Sequence, residues 1–166
     1  MNLALSEQKT RRIIVCDTDK CNGCQICEFV CSIVKEKTTN HKKSRIRAMR
    51  IEPFFNIAIA CRKCEKPVCE RACPRDAIRV LADGSIQIDK DKCNGCGWCV
   101  ESCEFGALRL SFDGGIAFSC DFCADLEEPQ CVKYCPKKAL RYITLDEAAK
   151  ESVKDVLLSV IDKGGK

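Results

Sequence analysis

The chain has 166 residues, 17 of them cysteine, and a formal charge of +4. The length suits one compact domain or two very small ones, and a cysteine at about every tenth position belongs to disulfide scaffolds or metal proteins. No apolar run approaches the roughly 18 residues that span a bilayer, and "MNLALSEQKTRR" turns polar before the apolar segment of a signal peptide could form. The expectation is a cytoplasmic chain in a reducing compartment, whose close-set thiols bind metal rather than pair with one another.

In chain order, "RRIIVCD" reads as a first strand. It leads into "KCNGCQICEFVC", a quartet of Cys21, Cys24, Cys27 and Cys31 spaced CxxCxxCxxxC. A basic stretch over residues 35 to 50 follows and reads as a solvated loop or docking edge. The second quartet, Cys61, Cys64, Cys69 and Cys73, has a widened gap before its third cysteine and ends in Cys73-Pro74. Next come two β-prone runs, "AIRV" and "SIQID", around the turn signal Asp83-Gly84, which predict a hairpin. The third quartet, Cys93, Cys96, Cys99 and Cys103, repeats the spacing of the first. The fourth, Cys120, Cys123, Cys131 and Cys135, likewise has a widened gap before its third cysteine and ends in Cys135-Pro136. "ALRYITL" reads as a last strand. From Thr144 a Thr-x-x-Glu capping box through Glu147 opens a predicted amphipathic helix, with Leu145, Ala149, Val153, Val156, Leu157 and Val160 at helical spacing and Gly164-Gly165 as its stop.

The spacing indicates the metal. A structural zinc site takes two cysteines from one CxxC and two from a distant one, because a single ion needs a small tetrahedron. Three thiolates at CxxCxxC wrap three corners of a cube instead. That run with a trailing CxxxCP is the bacterial signature for 4Fe-4S clusters, in which the fourth cysteine ligates the other cluster of a pair. Four quartets therefore predict four 4Fe-4S clusters and sixteen metal ligands. The hairpin between the second and third quartets makes those two an inner pair, and the outer strands leave the first and fourth as an outer pair. In this nested arrangement Cys61, Cys64 and Cys69 join Cys103, and Cys93, Cys96 and Cys99 join Cys73. Likewise Cys21, Cys24 and Cys27 join Cys135, and Cys120, Cys123 and Cys131 join Cys31. Sequential pairing, first with second and third with fourth, remains an alternative that leaves the same sixteen ligands.

The quartets, with "KPVCERACPRDAI" and "EPQCVKYCPKKAL" carrying the Cys-Pro ends, resemble the four-cluster ferredoxin-type subunits of multi-subunit molybdenum and tungsten oxidoreductases. "DTDKCNGCQICEFVCSIVKEKTTNHKKSRIRAMRIE" followed by "ACRKC" is most similar to the small iron-sulfur partner in the aldehyde:ferredoxin oxidoreductase family, which includes class II benzoyl-CoA reductases. The resemblance covers residues 13 to 144. It implies an α+β fold, tandem and nested, built of two bacterial-ferredoxin-like dicluster modules. In it, residues 1–144 form the cluster domain, with an inner module of about 57–112 and an outer module of about 13–34 with 113–144; residues 145–166, beyond the resemblance, are expected from the capping box and helical spacing to form a helix that contacts a subunit. The function implied is electron transfer, not catalysis. The partner would be a large tungsten- or molybdenum-cofactor subunit, with a flavin-containing subunit or a soluble ferredoxin as a further partner and self-association through the C-terminal helix as another contact. Hydrogenase, formate dehydrogenase and carbon monoxide dehydrogenase complexes use similar subunits, and a free polyferredoxin is a further alternative. Glu104, where a proline could follow the third quartet, and the extra Cys16 depart from the pattern without removing a ligand.

Several other classes find no support. The sequence has neither GxxxxGK[ST] nor GxGxxG, so no nucleotide site is indicated, and no CxxxCxxC run points to radical chemistry. His41, the single histidine, sits in a polar stretch and reads as a solvated residue. Cys16 reads as a small buried hydrophobe beside a cluster, and Trp98, Phe105, Phe122 and Tyr134 as packing that keeps water from the ligands. Counting sixteen thiolates against four cores of about 2+ brings the loaded chain to about −4, so the basic residues are partly local counter-charges and no nucleic-acid partner is expected.

Overall fold

In the computed structural model, residues 11–51 and 55–153 are described. "MNLALSEQKT" and the helix positions Val156, Leu157, Val160 and Gly164-Gly165 lie outside the described residues.

The apolar β-branched run of β1 (Arg12–Cys16) pairs antiparallel with β8 (Leu140–Thr144), Arg12 opposite Thr144 and Cys16 opposite Leu140. Backbone bonds from Asp17 to the Ala139 carbonyl (2.8 Å) and from Leu145 to the Arg11 carbonyl (3.1 Å) extend the ladder at both ends. This sheet joins the two ends of the cysteine-bearing region and buries Ile13, Ile14 and Leu140.

Between them, α1 (Ile26–Glu36) buries Cys27, Glu28, Cys31 and Ser32 along one face, as i, i+4 spacing requires. Lys37 ends it in the left-handed conformation, its N–H returning to the Ile33 carbonyl (3.1 Å) and the Thr38 N–H to the Ser32 carbonyl (3.4 Å), as in a Schellman cap. A 3-10 turn (His41–Lys43), capped by the Asn40 side chain, leads to the hairpin of β2 (Arg47–Ile51) and β3 (Phe55–Ile59). The sequence reading of residues 35–50 as loop is thus corrected at both ends. Helix α1 runs through Glu36, and "RAMRI" forms a strand because it pairs with "FNIAI" and hydrogen-bonds the buried Glu28 through the Ala48 N–H at 3.0 Å.

The remaining elements are short. They are α2 (Val68–Arg71), the hairpin β4 (Ile78–Val80) with β5 (Ile86–Ile88), α3 (Trp98–Glu101), the hairpin β6 (Arg109–Leu110) with β7 (Ala117–Phe118), and α4 (Gln130–Lys133). The β4–β5 hairpin forms around Asp83-Gly84, and the Asp83 carboxylate accepts from the N–H and hydroxyl of Ser85. Helix α1 packs on α4, and α2 on α3. The β6–β7 hairpin encloses residue 112, where the sequence divided its modules. Residues 145–153 are helical. The capping box is present, with the Thr144 N–H and hydroxyl donating to Glu147 (2.8 and 2.9 Å) and the Glu147 N–H to the Thr144 hydroxyl (3.2 Å). Those hydrogen bonds hold the Glu147 carboxyl below its ordinary range.

The core is short of large side chains. Eight of its buried members are cysteines of the four quartets, packed with Ile14, Ile46, Ile78, Leu108 and Leu140. Helices of four residues cannot hold themselves together on backbone bonds; they sit where the cysteines need them.

Candidate metal centres

Each quartet opens with a left-handed residue, followed in the fourth by a second at Cys123 (φ 53°). Two residues after its first cysteine, the chain is left-handed at Gly23 (φ 68°), Lys63 (49°), Gly95 (69°) and Phe122 (58°). Alternation between right- and left-handed residues turns successive N–H groups to one side, where they can meet a negatively charged sulfur. Glycine is required at Gly95, because a Cβ there would collide with the Gly115 carbonyl. A second shared turn closes three of the quartets. Asp76, Gly106 and Lys138, each three residues beyond a last cysteine, are also left-handed. The alanines that follow, Ala77, Ala107 and Ala139, are buried. In two of these turns the alanine N–H returns to the cysteine, Ala77 to Cys73 Sγ at 3.3 Å and Ala107 to Cys103 Sγ at 3.4 Å. Pro74, Glu104 and Pro136 all start this turn, so Glu104 does not alter it. The first quartet differs because α1 continues past Cys31, and there the Arg45 N–H reaches Cys31 Sγ at 3.2 Å.

These turns gather cysteines from different quartets. Cys73, Cys93, Cys96 and Cys99 line one cavity, with Ala77, Ile78 and Ala117 as apolar walls. Cys21, Cys24, Cys27 and Cys135 line another, walled by Ala48, Ala58 and Leu140. Cys69 lies among Cys61, Cys103 and Cys64; burial first, then the charges of these three, push its thiol up to about 11. The Cys131 thiol is also raised, by burial and then by Cys120, Cys31 and Cys123. Burial dominates again at Cys27, raised to about 12, and at Cys120, raised against the pull of the Phe122 N–H. In the chain without its metal these thiols hold their protons at neutral pH, so loading must release them.

Among the described residues, no three cysteine, histidine, aspartate or glutamate side chains close to the span of one metal ion. Four sulfurs lining one apolar-walled cavity, with backbone N–H groups donating to cysteine sulfur nearby, fit a group that takes several thiolates and amide donors together. Iron-sulfur chemistry is what this donor set suits.

The 4Fe-4S dicluster domain family matches residues 53–144. The chain belongs to that family. Over 145 residues this dicluster protein is 34% identical to the polyferredoxin-like subunit of an aliphatic sulfonate oxidoreductase from Pyrococcus furiosus, covering 84% of this chain and 83% of the relative. It is 30% identical to the thiosulfate reductase electron transfer subunit PhsB of Salmonella typhi (82% of this chain, 77% of the relative). It is also 30% identical to a subunit of the anaerobic dimethyl sulfoxide reductase of Escherichia coli (81% and 74%). A solved structure of the active site complex BamBC of benzoyl coenzyme A reductase with benzoyl-CoA aligns at 28% identity and a TM-score of 0.48, covering 91% of this chain and 96% of that one. The dicluster protein is an iron-sulfur electron-transfer protein, and like these relatives it is a subunit type rather than a catalyst on its own. No helix among its described residues is long and apolar enough to cross a membrane.

Cys16 stands beside the first quartet. Its sulfur accepts from the Ala58 N–H at 3.3 Å. Burial, opposed by that N–H, raises its thiol to about 11, with smaller contributions from Cys21 and Cys135. Its place is that of a spacer between β1 and β3. We expect Cys16→Ala to keep the full iron and sulfide content of the parent, measured by colorimetric iron and labile-sulfide assay; loss of about a quarter of the iron would instead make it a ligand.

The aromatic residues divide. Phe122 is buried and stacks on Tyr142 at 6.0 Å. Trp98 and Tyr134 are 65% and 56% exposed, so the reading of them as water-excluding packing is corrected: they face outward beside their cysteines. His41 is exposed and lies edge-on to Phe29. The sequence missed Lys63, a lysine that is buried within a quartet. Nothing marks it in the sequence except its place between two cysteines.

Proposed function

We propose that the chain carries four 4Fe-4S clusters in nested pairs and passes electrons as the iron-sulfur subunit of a tungsten or molybdenum oxidoreductase complex in the cytoplasm. The observation that carries this reading is the lining of two cavities by mixed sets, Cys93, Cys96 and Cys99 with Cys73, and Cys21, Cys24 and Cys27 with Cys135, and the charges felt at Cys69 and Cys131 are consistent with the same mixing in the other two quartets. The sets are those given by nested rather than sequential pairing, and β1–β8 pairing together with α1–α4 and α2–α3 packing supports the same nesting. A bound cluster supplies one-electron chemistry at low potential.

The chain's own residues do the rest. Buried alanines and isoleucines exclude water, and backbone N–H groups donate to cysteine sulfur, both of which set how readily an electron is accepted. The four sets also follow one another in space. Cys131 senses Cys27, which joins the first set to the fourth, and Cys120 senses Cys61, which joins the fourth to the second. The second and third quartets are joined by the β4–β5 hairpin. At the two ends of this series Cys24 and Cys96 are exposed, whereas Cys61, Cys69, Cys120, Cys123 and Cys131 in the middle are buried. Electrons thus have an entry and an exit. Ile26, Phe29 and Ile33 are exposed on α1, which begins two residues after Cys24, and Trp98 is exposed two residues after Cys96, apolar surfaces suited to subunit contact. The helix from residue 145 offers a further contact.

Native mass spectrometry with metal analysis of the complex isolated anaerobically tests this. The expected result is co-isolation with a large subunit that contains tungsten or molybdenum, and about sixteen iron atoms per copy of this chain. A fully loaded chain that never co-isolates with such a subunit would make it a free polyferredoxin.

A further inference from the structure

Lys63 lies between Cys61 and Cys64 with its side chain only 3% exposed, and burying an ammonium is costly unless it is paired. Its Nζ donates to Asp83 Oδ2 at 2.9 Å and sits 4.2 Å from the centre of the Phe122 ring. Phe122 belongs to the opening turn of the fourth quartet and stacks on Tyr142, whose other neighbour is the Arg12 guanidinium at 4.5 Å. Lys63 therefore spans three parts of the molecule: the second quartet's loop, the tip of the β4–β5 hairpin and the fourth quartet's loop. These two quartets supply the two interior sites. The backbone at Lys63 is left-handed, a conformation in which a side chain is disfavoured and glycine would be the easier choice. A strained, buried cation needs a reason to be there.

Charge balance supplies one. At Lys35 and Arg45 the two cations share Asp121 at 2.9 and 2.8 Å, with Asp125 bonded to Lys35 and Glu36 to Arg45, so three partly exposed carboxylates face two cations. Lys63 has Asp83, whose side chain is 58% exposed while its own is buried. Water screens the anion and not the cation. A net positive field is left between two sites whose four thiolates exceed the charge of the core they hold. Such a field favours the more negative, reduced state.

We propose that Lys63 is an electrostatic positioning residue, which raises the reduction potential of the interior clusters, and that Asp83 moderates it. The inference rests on the four-cluster reading above. Each reduction is a one-electron step, the electron coming from a low-potential reductant such as dithionite and the core passing from 2+ to 1+, with no bond made or broken.

The test is an EPR-monitored redox titration of the loaded chain, with iron content measured on every sample. Lys63→Met should leave all the iron in place and move at least one midpoint potential to a more negative value, by on the order of tenfold in the reduced-to-oxidised ratio, or about 59 mV for a one-electron couple. Asp83→Asn should move the same signal to a more positive value, and Lys63→Arg should hold it near the parent. Opposite signs from removing the cation and removing the anion are the signature that structural damage does not produce. Shifts of the same sign, or none with full iron, overturn the proposal. If Lys63→Met does not load, Asp83→Asn, at an exposed carboxylate, decides alone. A parent chain without four clusters would fail the earlier reading rather than this one.

Discussion

Replacing Cys31 by alanine is expected to remove the cluster held mainly by the fourth quartet, leaving the one held by the rest of its own quartet. Cys31 is buried on α1, which packs on α4, and its charge acts on the Cys120, Cys123 and Cys131 thiols. Cys21, Cys24 and Cys27 instead share their cavity with Cys135. Cys31→Ala and Cys131→Ala should therefore erase the same EPR signal, and Cys21→Ala a different one, each reducing iron from about sixteen to about twelve per chain. If Cys31→Ala and Cys21→Ala erased one and the same signal, the quartets would be self-contained and the nested reading wrong. A single missing cysteine also leaves three buried thiols whose burial favours the protonated form, so partial occupancy at that site should be small.

Removal of all iron should unfold most of the chain. Eight core positions are cysteines, the four-residue helices carry almost no stability of their own, and the largest fully buried side chains include only two isoleucines. Structural metal sites in small domains contribute about 10 kcal/mol or more, and a core this thin has no comparable reserve. Chelation under anaerobic reducing conditions should abolish the cooperative thermal transition and most far-UV circular dichroism, with recovery on adding iron and sulfide. Recovery should also be linked to pH. Cys69 and Cys27, raised to about 11 and 12 from an ordinary value of 9.0, must each give up a proton as they bind. Protons therefore compete with assembly. Lowering the pH from about 8 to about 6 should slow and weaken reconstitution, while each of these two thiols releases about one proton at either pH because both are fully protonated across that range, a release readable with an indicator dye. An apo chain that kept its native spectrum and melting transition would show that the polypeptide core suffices.

The parts legible in the sequence are those governed by local chemistry. Cysteine spacing marks the quartets, Asp83-Gly84 the inner hairpin, and Thr144 with Glu147 the helix start. The β1 and β8 strands are legible as apolar runs, and they are found paired. The β2–β3 hairpin is not legible, because "RAMRI" mixes basic and apolar residues without the period-two alternation of a strand and gains its strand from the Glu28 carboxylate and from β3. Nor do Lys63 and Phe122 announce left-handed backbone. There the tertiary contacts impose a conformation that glycine supplies at the matching Gly23 and Gly95. The buried charge of Lys63 depends on Asp83 and Phe122, twenty and more positions away, and no local pattern carries such a partnership.

The pairing of β1 with β8 also sets an order in time. A chain emerging from the ribosome makes β1 and the first quartet early, yet β1 has no partner until Leu140–Thr144 have appeared, and the first quartet's cavity lacks Cys135 until then. The second and third quartets, close in sequence and joined by a two-strand hairpin, can close much sooner. Biosynthesis therefore proceeds outward from the hairpin-joined pair: the second and third quartets close first as a seed, and the earliest residues wait, thiols free, for the latest. During that interval the chain is most vulnerable to oxygen and to mispairing, which makes the period just before β8 is synthesised the point at which a cell's cluster-delivery machinery matters most.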